Sequence, residues 1–121
     1  MQRRTLLKSG AAAPSLNAFP YHLFASAKQK QANDAVELGP RKIKLSRLGM
    51  GTGTNGGGGS SNQTKKLGVE GLARLLESAV DNGVKFWDSA DQYGTHPYLK
   101  AGLARVKRDK VVILSKTHAS T

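Results

Sequence analysis

An α/β fold with a parallel sheet covered by helices is the architecture this sequence predicts, on three observations. Short apolar segments suited to strands recur at residues 48–52, 84–88 and 111–114. Between the first two, Val69, Leu72, Ala73, Leu76, Ala79 and Val80 recur at three- and four-residue spacing, the period of an amphipathic helix. The segments are nearly continuous in apolar character, as strands inside a helix-covered parallel sheet are. The resulting order is βαβαβ, which joins parallel neighbours through crossover helices.

Each element has its own local reason. Residues 28–35 are polar and read as a linker, after which Val36 and Leu38, then Ile43 and Leu45, alternate with polar neighbours around Gly39-Pro40-Arg41-Lys42. That alternation predicts a small β-hairpin able to cap a larger unit. Residues 53–64 form a glycine- and serine-rich stretch too polar to pack, expected to be an exposed loop. A helix of roughly fourteen residues follows, closed by Asn82-Gly83 as a C-terminal cap. The strand at 84–88 leads to a helix at 97–106 with Pro97 in its first turn, and residues 111–114 are expected to be a strand buried on both faces. In such folds the carboxyl ends of the strands carry the chemistry, which gathers Thr52, Asp88 and Lys116 on one wall.

Charge and cysteine usage narrow the classes. The net charge is +11. Three of those eleven surplus charges, Arg3, Arg4 and Lys8, lie in the first 27 residues, which hold no acid, so a surplus of eight stays with the rest. Such a surplus suits nucleic acid, an anionic surface or a phosphorylated cofactor. The bases fall on two separate segments, Arg41 to Arg47 and Arg105 to Lys110, with no recognition helix or interleaved aromatics, so no nucleic-acid partner is expected. The absence of cysteine excludes disulfides, thiolate nucleophiles and sulfur-bound zinc. No apolar run reaches the roughly 18 residues of a membrane-spanning helix.

At the other end, Gln2-Arg3-Arg4-Thr5-Leu6-Leu7-Lys8 precedes a mild apolar tract and Ala25-Ser26-Ala27, a small-x-small sequence of the sort signal peptidase accepts. This resembles a twin-arginine export signal over residues 1–27, and implies the twin-arginine machinery as a partner and a periplasmic or exported location. A disordered basic start is the plainer alternative, and the protein is then cytoplasmic.

Asp88, Tyr93 and Lys116 form the candidate acid–base set. A tyrosine titrating near ~10 is a poor acid at neutral pH, and a nearby ammonium favours its phenolate. A carboxylate beside that lysine holds it charged. Singly, each has an ordinary explanation: Asp88 as a turn residue, Tyr93 as cover for apolar surface, Lys116 as a solvated strand end. Together they point to a site, because perturbed acid–base groups cluster at sites. Lys116 follows four apolar residues, so its stem is expected to be buried.

Gly51-Thr52-Gly53-Thr54-Asn55-Gly56 satisfies the spacing of a dinucleotide-binding glycine loop, but residues 57–63 separate it from its helix. Tight turns or close approach explain these glycines better. No Gly-Lys-Ser/Thr ends the run, which excludes a nucleotide-hydrolase phosphate loop. His22 lies in the signal-like segment. His96 stands at a helix entrance, able to cap it in solvent or to reach a substrate, and His118 shares the extended face of Lys116 or lies in solvent. No metal site is expected.

From about residue 36 to 117 the sequence resembles the amino-terminal part of an aldo-keto reductase, through the hairpin, Leu48-Gly49-Met50-Gly51-Thr52, the segment Phe86-Trp87-Asp88-Ser89-Ala90-Asp91-Gln92-Tyr93-Gly94, and Ser115-Lys116-Thr117. The resemblance implies a (β/α)₈ barrel of about 250 residues, of which residues 36–121 supply the hairpin and about three βα units. It implies NADPH-dependent reduction of aldehydes or ketones, with NADH possible as cofactor. By the same resemblance Tyr93 donates the proton, Lys116 lowers its pKa and Asp88 holds Lys116. Gly51 and Thr52, with Asp88, lie toward the nicotinamide. The family's catalytic histidine falls at the end of the next strand, beyond Thr121, so the chain is expected to be a truncated piece, inactive alone and prone to aggregate at an open sheet edge. A non-catalytic basic binding module and a pseudoenzyme remnant are the alternatives.

Overall fold

The computed structural model describes residues 28–118. Residues 31–118 belong to one compact unit. The signal-like segment 1–27 lies outside the described residues.

That unit opens with the expected hairpin. Strand β1 (Ala35–Leu38) pairs antiparallel with β2 (Ile43–Ser46), Leu38 opposite Ile43. The turn closes with the Lys42 amide donating to the Gly39 carbonyl at 3.0 Å. Residues 31–34, read from sequence as linker, are instead tied down. The Arg47 amide donates to the Asp34 carbonyl at 2.8 Å and the Leu48 amide to that of Ala32 at 2.9 Å.

Three strands then form a parallel sheet in the order β3 (Gly49–Gly51), β4 (Phe86–Asp88), β5 (Val112–Leu114). The register sets Met50, Trp87 and Ile113 side by side, and Gly51, Asp88 and Leu114 side by side one step later. Side chains alternate across a strand. Trp87 is fully buried in the core with Leu72, Leu76, Leu99, Val106 and Val111, against which Met50 and Ile113 also pack. Asp88 therefore falls on the opposite face. On that face Leu114 is 43% exposed, so the expectation that 111–114 is buried on both faces fails.

Helix α1 (Asn62–Asp81) begins seven residues before the apolar periodicity does. Its start is a capping box: the Ser61 hydroxyl accepts from the Thr64 amide, and the Thr64 hydroxyl accepts from the Ser61 amide at 2.8 Å. Both side chains are buried, contrary to the exposed loop expected over 53–64. Gly68 (φ 63°, ψ −177°) breaks the helix into two segments, in a backbone conformation that costs other residues. Leu67 and Val69 on either side of that break are exposed, so the core-facing period starts only at Leu72. Helix α2 (His96–Arg105) carries Pro97 in its first turn as expected. Arg105, near its end, forms ion pairs with Glu70 and Glu77 of α1.

One cross-link fastens the hairpin beneath the sheet. The Ser46 hydroxyl accepts from the Lys85 amide at 2.8 Å and donates to the Leu48 carbonyl at 2.7 Å. Replacing Ser61→Ala is expected to cost about 0.5–2 kcal/mol of stability, read as a lower denaturation midpoint. An unchanged midpoint would mean that the capping box does not hold the first turn of α1.

Candidate functional site

The site is assembled at the carboxyl ends of the three parallel strands. Thr52 follows β3 and turns inward, fully buried. Its amide and its hydroxyl both donate to the Asp88 carbonyl, at 3.1 and 2.9 Å. The Thr52 hydroxyl also lies 3.1 Å from that of Thr95, which is 2.7 Å from that of Ser89. These three hydroxyls form a buried cluster behind Asp88 that bonds all its members, as buried polar groups require. Of the three residues expected toward a cofactor, Gly51 is exposed at the strand end and Asp88 partly so, while Thr52 is buried. Thr52 is committed to supporting Asp88.

After β4 the chain makes a 3₁₀ turn, Asp91–Tyr93, closed by Gly94 in the left-handed region (φ 62°). Asp91 fastens this turn to the segment beyond β5 at two points. Its amide donates to the Lys116 carbonyl at 3.0 Å, and its carboxylate accepts from the His118 amide at 2.8 Å. The His118 amide, more than any other group, holds the Asp91 carboxyl below its ordinary range. Asp91 was not among the residues singled out from sequence. The available signal was an acid placed at the first position of a short turn, where a carboxylate accepts backbone amides.

Fastened in this way, the strand ends bring Asp88, Tyr93 and Lys116 together. The Lys116 ammonium lies 2.5 Å from Asp88 Oδ1 and 5.2 Å from the centroid of the Tyr93 ring, within reach of a cation–π contact. The hydrogen bond to Asp88 raises the Lys116 pKa above its ordinary value, with smaller contributions from the Asp88 charge and the Tyr93 phenol and a partial offset from desolvation. Lys116 is 45% exposed and Asp88 31%, so the buried stem expected for Lys116 is not found. An ion pair in that setting contributes at most about 1 kcal/mol, and its significance is geometric. That contribution is complete below about pH 10.4 and is lost as the pH rises through the raised value.

His96 is exposed at the first position of α2, while Thr95 occupies the cap position without a side-chain capping bond. His96 Nε2 lies 2.9 Å from the Ser115 hydroxyl, one residue before Lys116, an engagement not expected from sequence. His118 joins this cluster through its backbone amide, and its side chain is exposed. Among the described residues no group of three or more histidine or acidic side chains is placed to hold a metal ion.

Comparison with known proteins agrees with this architecture. The sequence model described as Aldo/keto reductase family matches residues 47–121. Among solved structures, a thermostable aldo-keto reductase crystallised with the inhibitor epalrestat is similar at 25% identity and a TM-score of 0.53, over 69% of this chain and 31% of that one. The chain thus spans about a third of the length of that relative. No curated protein matches it.

The Asp88 bond is the leading cause of the raised Lys116 pKa, so Asp88→Asn is expected to bring the Lys116 titration down toward its ordinary value. NMR of the Lys116 side chain measures this directly, and an unmoved midpoint would show that another group holds the ammonium.

Proposed function

The chain belongs to the aldo/keto reductase family, and on that premise we propose that its strand-end site takes part in NAD(P)H-dependent reduction of aldehydes or ketones to alcohols. The observation that carries the proposal is the convergence of Asp88, Lys116 and Tyr93 from three separate segments onto one exposed face. The arrangement orders the three groups by role. Tyr93 carries the transferable proton, Lys116 stands over its ring, and Asp88 holds Lys116.

Tyr93 gives its hydroxyl proton to the carbonyl oxygen of the substrate. Lys116 then stabilises the phenolate left behind, since a cation within reach favours the charged form. Asp88 keeps the ammonium oriented without taking the proton itself. When bound, a reduced nicotinamide cofactor supplies the hydride that the carbonyl carbon accepts. The residues present fit such a ring at one point: Gly51 lies beside Asp88 in the register, and space for a Cβ there is open, so a flat group can rest against backbone. Thr52 serves this contact indirectly, by fixing the Asp88 carbonyl. We hold NADPH as the cofactor, with NADH as the variant.

The twin-arginine-like start adds a proposal about location. Twin-arginine export carries folded proteins, so a reductase using it travels with its cofactor bound. Periplasmic recovery that depends on Arg3 and Arg4, with nucleotide in the recovered protein, supports this. Recovery without nucleotide separates the signal from the cofactor.

With this segment joined to the remaining βα units of a family barrel, Tyr93→Phe is expected to lower turnover of a panel of aldehydes and ketones by about 10²- to 10⁴-fold while leaving nicotinamide binding intact, the loss typical of removing a general acid. Full turnover in that variant would assign the proton to another group.

A further inference from the structure

We propose that Gly53 and Gly56 are positioning residues for Tyr93: their bare backbone forms the seat that sets the phenol ring beside Lys116. This deepens the reading of Tyr93 as the proton donor and rests on it. The glycine run after β3 is not uniform. A methyl group on Gly53 would lie 2.2 Å from Cε2 and 2.3 Å from Cδ2 of Tyr93, and one on Gly56 would lie 2.4 Å from Cδ1. The two glycines therefore abut opposite edges of the ring. At Gly57 and Gly58 the same methyl would meet nothing within 4 Å.

The seat is braced on both sides. Its two glycines are joined by the Gly56 amide donating to the Gly53 carbonyl at 2.8 Å. On the helix side, Gln63 accepts from the Thr54 amide at 3.0 Å and donates to the Thr54 hydroxyl at 2.7 Å, while the Asn62 amide donates to the Thr54 carbonyl at 2.9 Å. On the tyrosine side, the Gly59 amide donates to the Gln92 carbonyl at 2.9 Å. Gly94, next to Tyr93, packs so closely on Gly59 that a methyl there would lie 1.8 Å from the Gly59 carbonyl oxygen. The loop is thus fixed to α1 at one end and to the turn carrying Tyr93 at the other.

Carbon atoms in contact settle about 3.5–4.0 Å apart, so a methyl at either seat position forces the ring to move by about 1 Å or more. A misplacement of that size costs roughly 10²-fold in rate. In the same completed barrel, Gly53→Ala and Gly56→Ala are accordingly expected to lower kcat about 10²-fold, to leave KM for the carbonyl largely unchanged, and to shift the alkaline side of the kcat–pH profile. Gly57→Ala, whose methyl meets no neighbour, serves as the matched control with unchanged kcat.

A stability cycle on this chain reads the contact without turnover. The midpoint lost in Gly53→Ala, whose methyl meets the Tyr93 ring first, is expected to return in part when Tyr93→Ala is added, because the colliding ring is gone. Recovery together with full turnover of Tyr93→Phe would keep the seat and remove the catalytic reading. Wild-type kcat and pH profile in both alanine variants, or no recovery in the cycle, would overturn the seat itself.

Discussion

The parallel register that sets Gly51, Asp88 and Leu114 level is the constraint on which the rest of the site depends. Three strands ending at one height release their chains into one layer of loops. The contacts that fasten the site join two of those loops or a loop to a helix start. Thr52 reaches the Asp88 carbonyl because β3 and β4 end together, and the Asp91 amide reaches the Lys116 carbonyl because β4 and β5 do. A one-residue slip would carry Asp88 to the face of Trp87 and bury an acid in the apolar core.

The core fixes that register from below. Trp87, Met50 and Ile113 form a single row against α1 and α2, with Leu72, Leu76 and Leu99 filling the space between sheet and helices. Polar support then sits directly above the apolar row. The buried hydroxyls of Thr52, Ser89 and Thr95 bond one another and the Asp88 backbone, so the acid stands on a platform whose polar groups are satisfied. The ion pair it makes is energetically small at this exposure, and its position is inherited from the platform.

Much of this was legible in the sequence. Apolar runs and helical spacing gave the βαβαβ order, alternation about Gly39 to Lys42 gave the hairpin, and Asn82 stands at the end of α1 as expected. The three candidate acid–base residues were singled out because each ends or follows a strand, and the structure places them together. The start of α1 was hidden for a physical reason: its first segment is held by the capping box of Ser61 and Thr64, and the break at Gly68 interrupts the period that marks the rest. Asp91 and the hydroxyl cluster were hidden because they act through main-chain partners distant in sequence, which residue spacing does not encode. The reading of the glycines as sites of close approach was correct in kind, but the ring they approach is 37 to 40 residues away.

On the proposed mechanism Asp88 acts only through Lys116. The most direct test is a cycle on carbonyl turnover, with this segment joined to the remaining βα units of a family barrel, built from Asp88→Asn, Lys116→Met and their combination. The mechanism predicts that the double variant turns over no more slowly than Lys116→Met alone, since removing the lysine leaves Asp88 nothing to hold. Losses that multiply in the double variant would contradict it, and would give Asp88 a role independent of the ammonium.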